Sequence, residues 1–115
     1  MDNNILIETI EETKVVYLSG IINALTVPDI QIKLIDMVQI NDDFVIEMSN
    51  VDLISSVGML MLLNLHREMK DQHQKVILGG LSEPVKITLS TMGFSSFLIT
   101  FDTLEEAIAF LQSDG

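Results

Sequence analysis

The spacing of apolar residues along this chain switches repeatedly between two and about 3.6, a pattern that alternating strands and helices produce. "ILIETI" alternates, "EETK" makes a polar turn and "VVYLSG" runs apolar to Gly20, which predicts an antiparallel hairpin over residues 5–20. Thr26 precedes "VPDIQIKLIDMV" with Asp29 three residues on and Pro28 in the first turn, a start resembling a capping box, and Ile30, Leu34 and Met37 then share one helical face. "DDFVIEMS" predicts a strand, the Ser56 region opens a helix reaching about His73, and "KVILGG" predicts another buried strand. Ser82 is placed to cap "EPVKITLSTM", "FLITF" to form a last strand, and Thr103 with Glu106 to make a T-x-x-E box opening "LEEAIAFLQ". The expected fold is α/β, a single domain over residues 1–115. Its mixed sheet has the N-terminal hairpin antiparallel and later strands parallel, packed with about four helices.

Strand, helix, strand units are right-handed crossovers, so the strand ends near Gly20, Ser49 and Gly79 are expected along one edge of the sheet. Ligands and partners of open α/β sheets favour that edge, here the segments "GIINAL", "NVDLISS" and "GGLS".

Charge restricts what this edge can meet. With 6 Lys and Arg against 17 Asp and Glu the net charge is -11, which opposes direct binding to nucleic acid and to anionic lipid surfaces. Cysteine is absent, and His66 and His73 are too few for a metal site, so no cofactor is expected. "MDNNILIE" lacks the basic start of a signal peptide, and the longest uncharged stretches fall short of the roughly 20 apolar residues of a membrane helix. A cytoplasmic protein without membrane insertion is the expectation.

Two serines interrupt the apolar run "NVDLISSVGMLMLLNL". With Ser56 at the N-cap or in the first turn, steps of 100° put Gly58, Met61, Leu62, Leu65 and Met69 on the core side and Ser56, Leu60, Leu63 and Arg67 opposite. Leu60 and Leu63 then lie on the wet face, either as scattered surface hydrophobes or as a partner-binding stripe that begins at a hydroxyl. Ser55 and Ser56 have the equally simple reading of a helix cap. Gly58 in the first turn costs about 1 kcal/mol relative to alanine, which implies a close backbone approach there.

Catalysis fits poorly. "SSVG" is not a G-x-S-x-G elbow, and His66 lies roughly 15 Å along the helix from Ser56, too far for proton transfer. The pairs Asp42–Asp43 and Glu105–Glu106 read as solvated charge, the second pair suiting a helix N-terminus. Gly79 and Gly80 are too short a run to cradle a phosphate, and "GIINAL" and "NVDLISS" carry no Lys or Arg for one.

"VVYLSGIINAL" is similar to the L-x-G-x-[IL]-[DN] segment of the STAS domain family, and "VIEMSNVDLISSVGMLMLL" to its central [DS]-S-[STAV]-G-[LM] motif. "VILGGLSEPVKITLSTMGFSSFLITFDTLEEAI" resembles its C-terminal third, so the likeness covers nearly the whole chain. Within the family the chain resembles the bacterial anti-sigma factor antagonists. That resemblance implies a non-enzymatic module that binds an anti-sigma factor serine/threonine kinase and frees a sigma factor. Phosphorylation of Ser56 switches it off, and a phosphatase resets it. Together with the stripe of Leu60, Leu63 and Arg67 read from helical spacing, partner contacts are expected at Asn23, Ser55, Val57, Gly58 and Met59. Ser55 stands where many members carry Asp, Asn23 where many carry Asp, and Ile21 where an acid is frequent. Two alternatives use the same fold: a STAS binding module that is never phosphorylated, such as the small subunit of a lipid-transport or scaffold complex, and a small-molecule binder at the loop edge.

Overall fold

Hydrophobic alternation builds a five-stranded sheet in the computed structural model, which describes residues 4–40 and 42–113. The strands are β1 (Ile5–Ile10), β2 (Thr13–Ile22), β3 (Phe44–Ile54), β4 (Val76–Gly79) and β5 (Thr100–Phe101), lying side by side in chain order. β1 pairs antiparallel with β2, and β2, β3, β4 and β5 then pair in parallel. The helices are α1 (Val27–Ile40), α2 (Ser56–Asp71), α3 (Glu83–Met92) and α4 (Leu104–Ser113). The α/β fold class, the mixed sheet and all four helix starts agree with the sequence reading.

Both faces of the central sheet are covered, which is why β4 and residues 44–48 of β3 are buried without alternation. Val16, Leu18, Phe44, Ile46, Met48 and Leu78 pack on one side in a cluster shared with α1, α2 and the buried positions of α3, Val85 and Leu89. Val15, Val45 and Ile77 point the other way and meet Ala107 and Ile108 of α4. Ile30, Leu34 and Met37 are buried along α1, as their spacing predicts.

Several local readings need correction. β3 does not stop at Ser49: after a register shift it continues through residues 50–54, pairing Ile21 with Leu53 and Ile22 with Ile54. The polar residues Asn50 and Asp52 resemble a loop in the sequence, yet they are exposed residues of the continuing strand. The last strand shrinks from the expected "FLITF" to Thr100 and Phe101, because residues 94–97 make a turn in which Phe97 N–H donates to the Phe94 carbonyl at 3.0 Å. Ser82 occupies the N-cap position of α3 but its hydroxyl donates to the Val51 carbonyl at 2.7 Å instead of capping. Thr26 likewise gives its hydroxyl to the Ile21 carbonyl, 2.9 Å away, and accepts from Asn23 N–H at 2.9 Å, so the start of α1 is an ordered turn and not a box with Asp29. The Thr103–Glu106 box is present in both directions: Glu106 N–H donates to Thr103 Oγ1 at 3.1 Å and Thr103 N–H to Glu106 Oε1 at 3.2 Å.

Candidate functional site at the start of α2

The C-terminal ends of β2 and β3 deliver the site. Ile22 and Ile54 are register partners, and the carbonyl of Ile22 accepts the N–H of Ser55 at 2.9 Å, so the two chains leave the sheet together. Ser55 is extended (φ -87°, ψ 175°) and is the N-cap of α2. Its Oγ accepts from Gly58 N–H at a long 3.4 Å and its carbonyl from Met59 N–H at 2.9 Å. Ser56 is therefore the first residue of the helix and not its cap. It is exposed, and its hydroxyl makes no hydrogen bond to the described residues.

Gly58 explains itself in this geometry. A Cβ built there stands 2.7 Å from Ile54 Cγ1, 2.9 Å from Ile22 Cγ2 and 3.1 Å from the Ile22 carbonyl oxygen. The first turn of α2 rests directly on the ends of both strands, and only a glycine lets it come so close.

The same approach places Asn23 one residue beyond the Ile22 carbonyl that holds Ser55, at the Ser56 end of the sheet. Its Oδ1 accepts from Leu25 N–H at 3.0 Å, an Asx turn that fixes the loop. A cleft of about 460 Å³ beside it is lined by Asn4, Gly20, Ile21, Asn23, Leu25 and Asp52 among others, and Asp52 is its one charged residue. Nothing cationic stands there to hold a phosphate. At Gly79–Gly80 the obstacle to an anion is explicit: Glu47, 8 % exposed, accepts Ser49 N–H at 3.2 Å, and its Oε2 lies 2.5 Å from where a Cβ of Gly80 would stand.

Of the sequence-derived contact residues, Ser55, Ser56, Val57 and Leu60 come together at the start of α2, with Val57 and Leu60 (49 % exposed) open to solvent. Met59 is wholly buried and Gly58 is covered, so neither offers a side chain to a partner. Leu63 is 7 % exposed, contrary to its place on the predicted wet face, and Arg67 sits beside it along the distal half of α2. The reason is local packing: Leu63 belongs to the same buried cluster as Leu98, so one helical face is wet at Leu60 and buried a turn later. In exchange the structure adds Ile21, Leu25 and Leu53, all exposed at the same sheet end. Neither leucine had a periodic signal: Leu25, 87 % exposed, sits in a turn, and alternation from Val51 would turn Leu53 inward, whereas the register shift from Gly20–Val51 to Ile21–Leu53 skips Asp52 and leaves Leu53 exposed.

Comparison with known proteins agrees with this geometry. The STAS domain family model matches residues 4–107. No curated protein matches the sequence. Among solved structures the chain is similar to one from Thermotoga maritima provisionally described as an anti-sigma factor antagonist, with 15% identity, 94% of each chain covered and a TM-score of 0.84. It is also similar to an anti-sigma factor antagonist from Mycobacterium paratuberculosis, at 22% identity and a TM-score of 0.82 over 94% of this chain and 92% of that one. The anti-sigma factor antagonist SpoIIAA in its unphosphorylated form gives 21% identity and 0.77 over 95% and 96% of the two chains. The Bacillus SpoIIAA in its phosphorylated form gives 21% and 0.69 over 93% and 98%. At these identities the solved structures establish likeness of fold. A family match running from the first described strand into α4, on a sheet with this strand order, settles the family: the chain belongs to the STAS domain family.

Proposed function

We propose that this chain is an anti-sigma factor antagonist, a single STAS domain that acts by binding and not by catalysis. In its unphosphorylated form it holds an anti-sigma factor serine/threonine kinase, which frees a sigma factor. Phosphorylation of Ser56 releases the kinase, and a phosphatase restores the binding form. It reaches genes through that partner in the cytoplasm, since a chain of net charge -11 is repelled by nucleic acid. The solved relatives support the role by their description, and SpoIIAA is known in both phosphorylation states.

The observation that carries this reading is the division of labour between the serines. Ser55 caps α2, which leaves the Ser56 hydroxyl exposed and unneeded by the fold. A phosphate there adds about -1.5 to -2 charge at a helix N-terminus, where the dipole tolerates it, so the domain stays folded. Val57 and Leu60 flank it, with Leu53 three residues before, and Ile21 and Leu25 lie at the same end. Any partner seated on those side chains must bury the phosphate or leave. A loss of only about 2.7 kcal/mol weakens binding a hundredfold.

The reading is tested by titrating the cognate kinase with three forms of the protein. Ser56→Ala keeps full affinity and stays bound in the presence of ATP. Ser56→Asp folds but binds more weakly. Equal affinities for Ser56→Asp and the unmodified protein would refute the switch and leave a STAS binding module that is never phosphorylated.

A further inference from the structure

A cleft of about 730 Å³ lies far from Ser56, between the distal half of α2, the start of β4 and the turn after α3. Its volume falls in the range of small-molecule sites, about 300 to 1,000 Å³. One wall is apolar: Leu63, Val76, Phe97, Leu98 and Ile99, with Phe97 57 % exposed. The other is cationic. Arg67, Lys70 and Lys75, half of the six Lys and Arg in the chain, line it together with both histidines, and no Asp or Glu does.

This concentration runs against the composition. Acidic residues outnumber basic ones by 17 to 6, yet here the cations stand together. Lys70 follows Arg67 by three residues, so two like charges share one helical face and oppose helix formation. His66 registers that crowding: its pKa is lowered by burial first and by the Lys70 charge second. Among the described residues neither Arg67 nor Lys70 makes an ion pair. Lys75 Nζ stands 5.9 Å over the Phe110 ring. Gln74 forms part of the floor. It is 6 % exposed and lines the cleft; its Nε2 donates to the Asp42 carbonyl at 3.2 Å, while its buried Oε1 has no donor.

We propose that this cleft binds an anionic amphiphile, with Arg67 and Lys70 holding a carboxylate or phosphate head and the acyl chain lying along Leu63, Phe97, Leu98 and Ile99. A purely polar anion leaves the apolar wall uncovered, and a neutral lipid leaves Arg67 and Lys70 unmatched. Arg67 lies eleven residues after Ser56, about 16 Å along the helix axis, so this site is separate from the switch and stands or falls without it.

The test is titration of the full chain with laurate and with dodecyl phosphate below their micellar concentrations, against dodecanol and acetate, followed by amide NMR shifts. Both charged amphiphiles are expected to bind at least about tenfold more tightly than dodecanol or acetate, a difference of about 1.4 kcal/mol. The shifts are expected at residues 63–75 and 97–99. The double variant Arg67→Gln, Lys70→Gln is expected to lose that margin, and Phe97→Ser, at an exposed position that folding does not need, to weaken every chain-bearing ligand. Tighter binding of the phosphate than of the carboxylate would identify the head. Dodecanol binding as well as laurate, an unaffected double variant, shifts confined to the Ile21–Leu53 end, or binding only to anionic vesicles would each overturn the proposal.

Discussion

The N–H of Ser55 donates to the Ile22 carbonyl at 2.9 Å, so the cap of α2 hangs from the last residue of β2. This bond makes Ser55 a structural residue and its neighbour a free one. It also ties the Asn23 turn, the tip of β3 and the first turn of α2 into one rigid platform, since Ile22 is simultaneously the register partner of Ile54 and the contact of Gly58.

Gly58→Ala tests that platform. Alanine gains about 1 kcal/mol of helix propensity, but its methyl group meets two isoleucines and a backbone oxygen that cannot rotate away, an overpacking worth about 1 to 3 kcal/mol. A net destabilisation of about 1 kcal/mol is expected, read as a lower urea midpoint with an unchanged slope.

The two serines are expected to separate in the same assay. Ser55→Ala loses a cap whose hydrogen bond is long, which places the cost near the low end of the usual range of about 0.5 to 2 kcal/mol. Ser56→Ala, with no bond to lose, is expected to unfold within about 0.5 kcal/mol of the unmodified protein.

At the other end of α2, His66 gives a pH prediction with a definite sign. Its folded pKa lies below 6.5, so the neutral ring is favoured in the native state. Its contribution to stability is complete above the unfolded pKa and is lost as pH falls through the lowered folded value. NMR titration of the ring is expected to show a midpoint below 6.5 that Lys70→Gln raises only in part, because burial is the larger cause and the Lys70 charge the smaller.

The Thr103–Glu106 box offers a control remote from both sites. Thr103→Ala removes the acceptor of Glu106 N–H and is expected to cost about 1 kcal/mol by denaturation without altering kinase affinity.

How far the sequence speaks for itself differs between elements. Helix starts were legible because caps and glycines are local signals, as at Thr103 and Ser55. The end of β3 was not, because Asn50 and Asp52 carry loop chemistry while the backbone keeps its ladder to β2. Leu63 shows a second limit. Periodicity tells which residues share a helical face, but whether that face is wet depends on Leu98, more than thirty positions away and buried in the same cluster. The cationic cleft has the same origin: Arg67 and Lys70 look like ordinary surface charges until the chain returns to lay an apolar wall beside them.

The most direct test of the account is peptide mass spectrometry after the protein is incubated with ATP and its cognate anti-sigma factor kinase. One phosphate on Ser56 is predicted, retained in Ser55→Ala, absent from Ser56→Ala, and accompanied by an at least about hundredfold loss of kinase affinity. Phosphate on Ser55 alone, or on neither serine while the kinase still binds, would contradict it and return Ser56 to the role of an ordinary first residue of a helix.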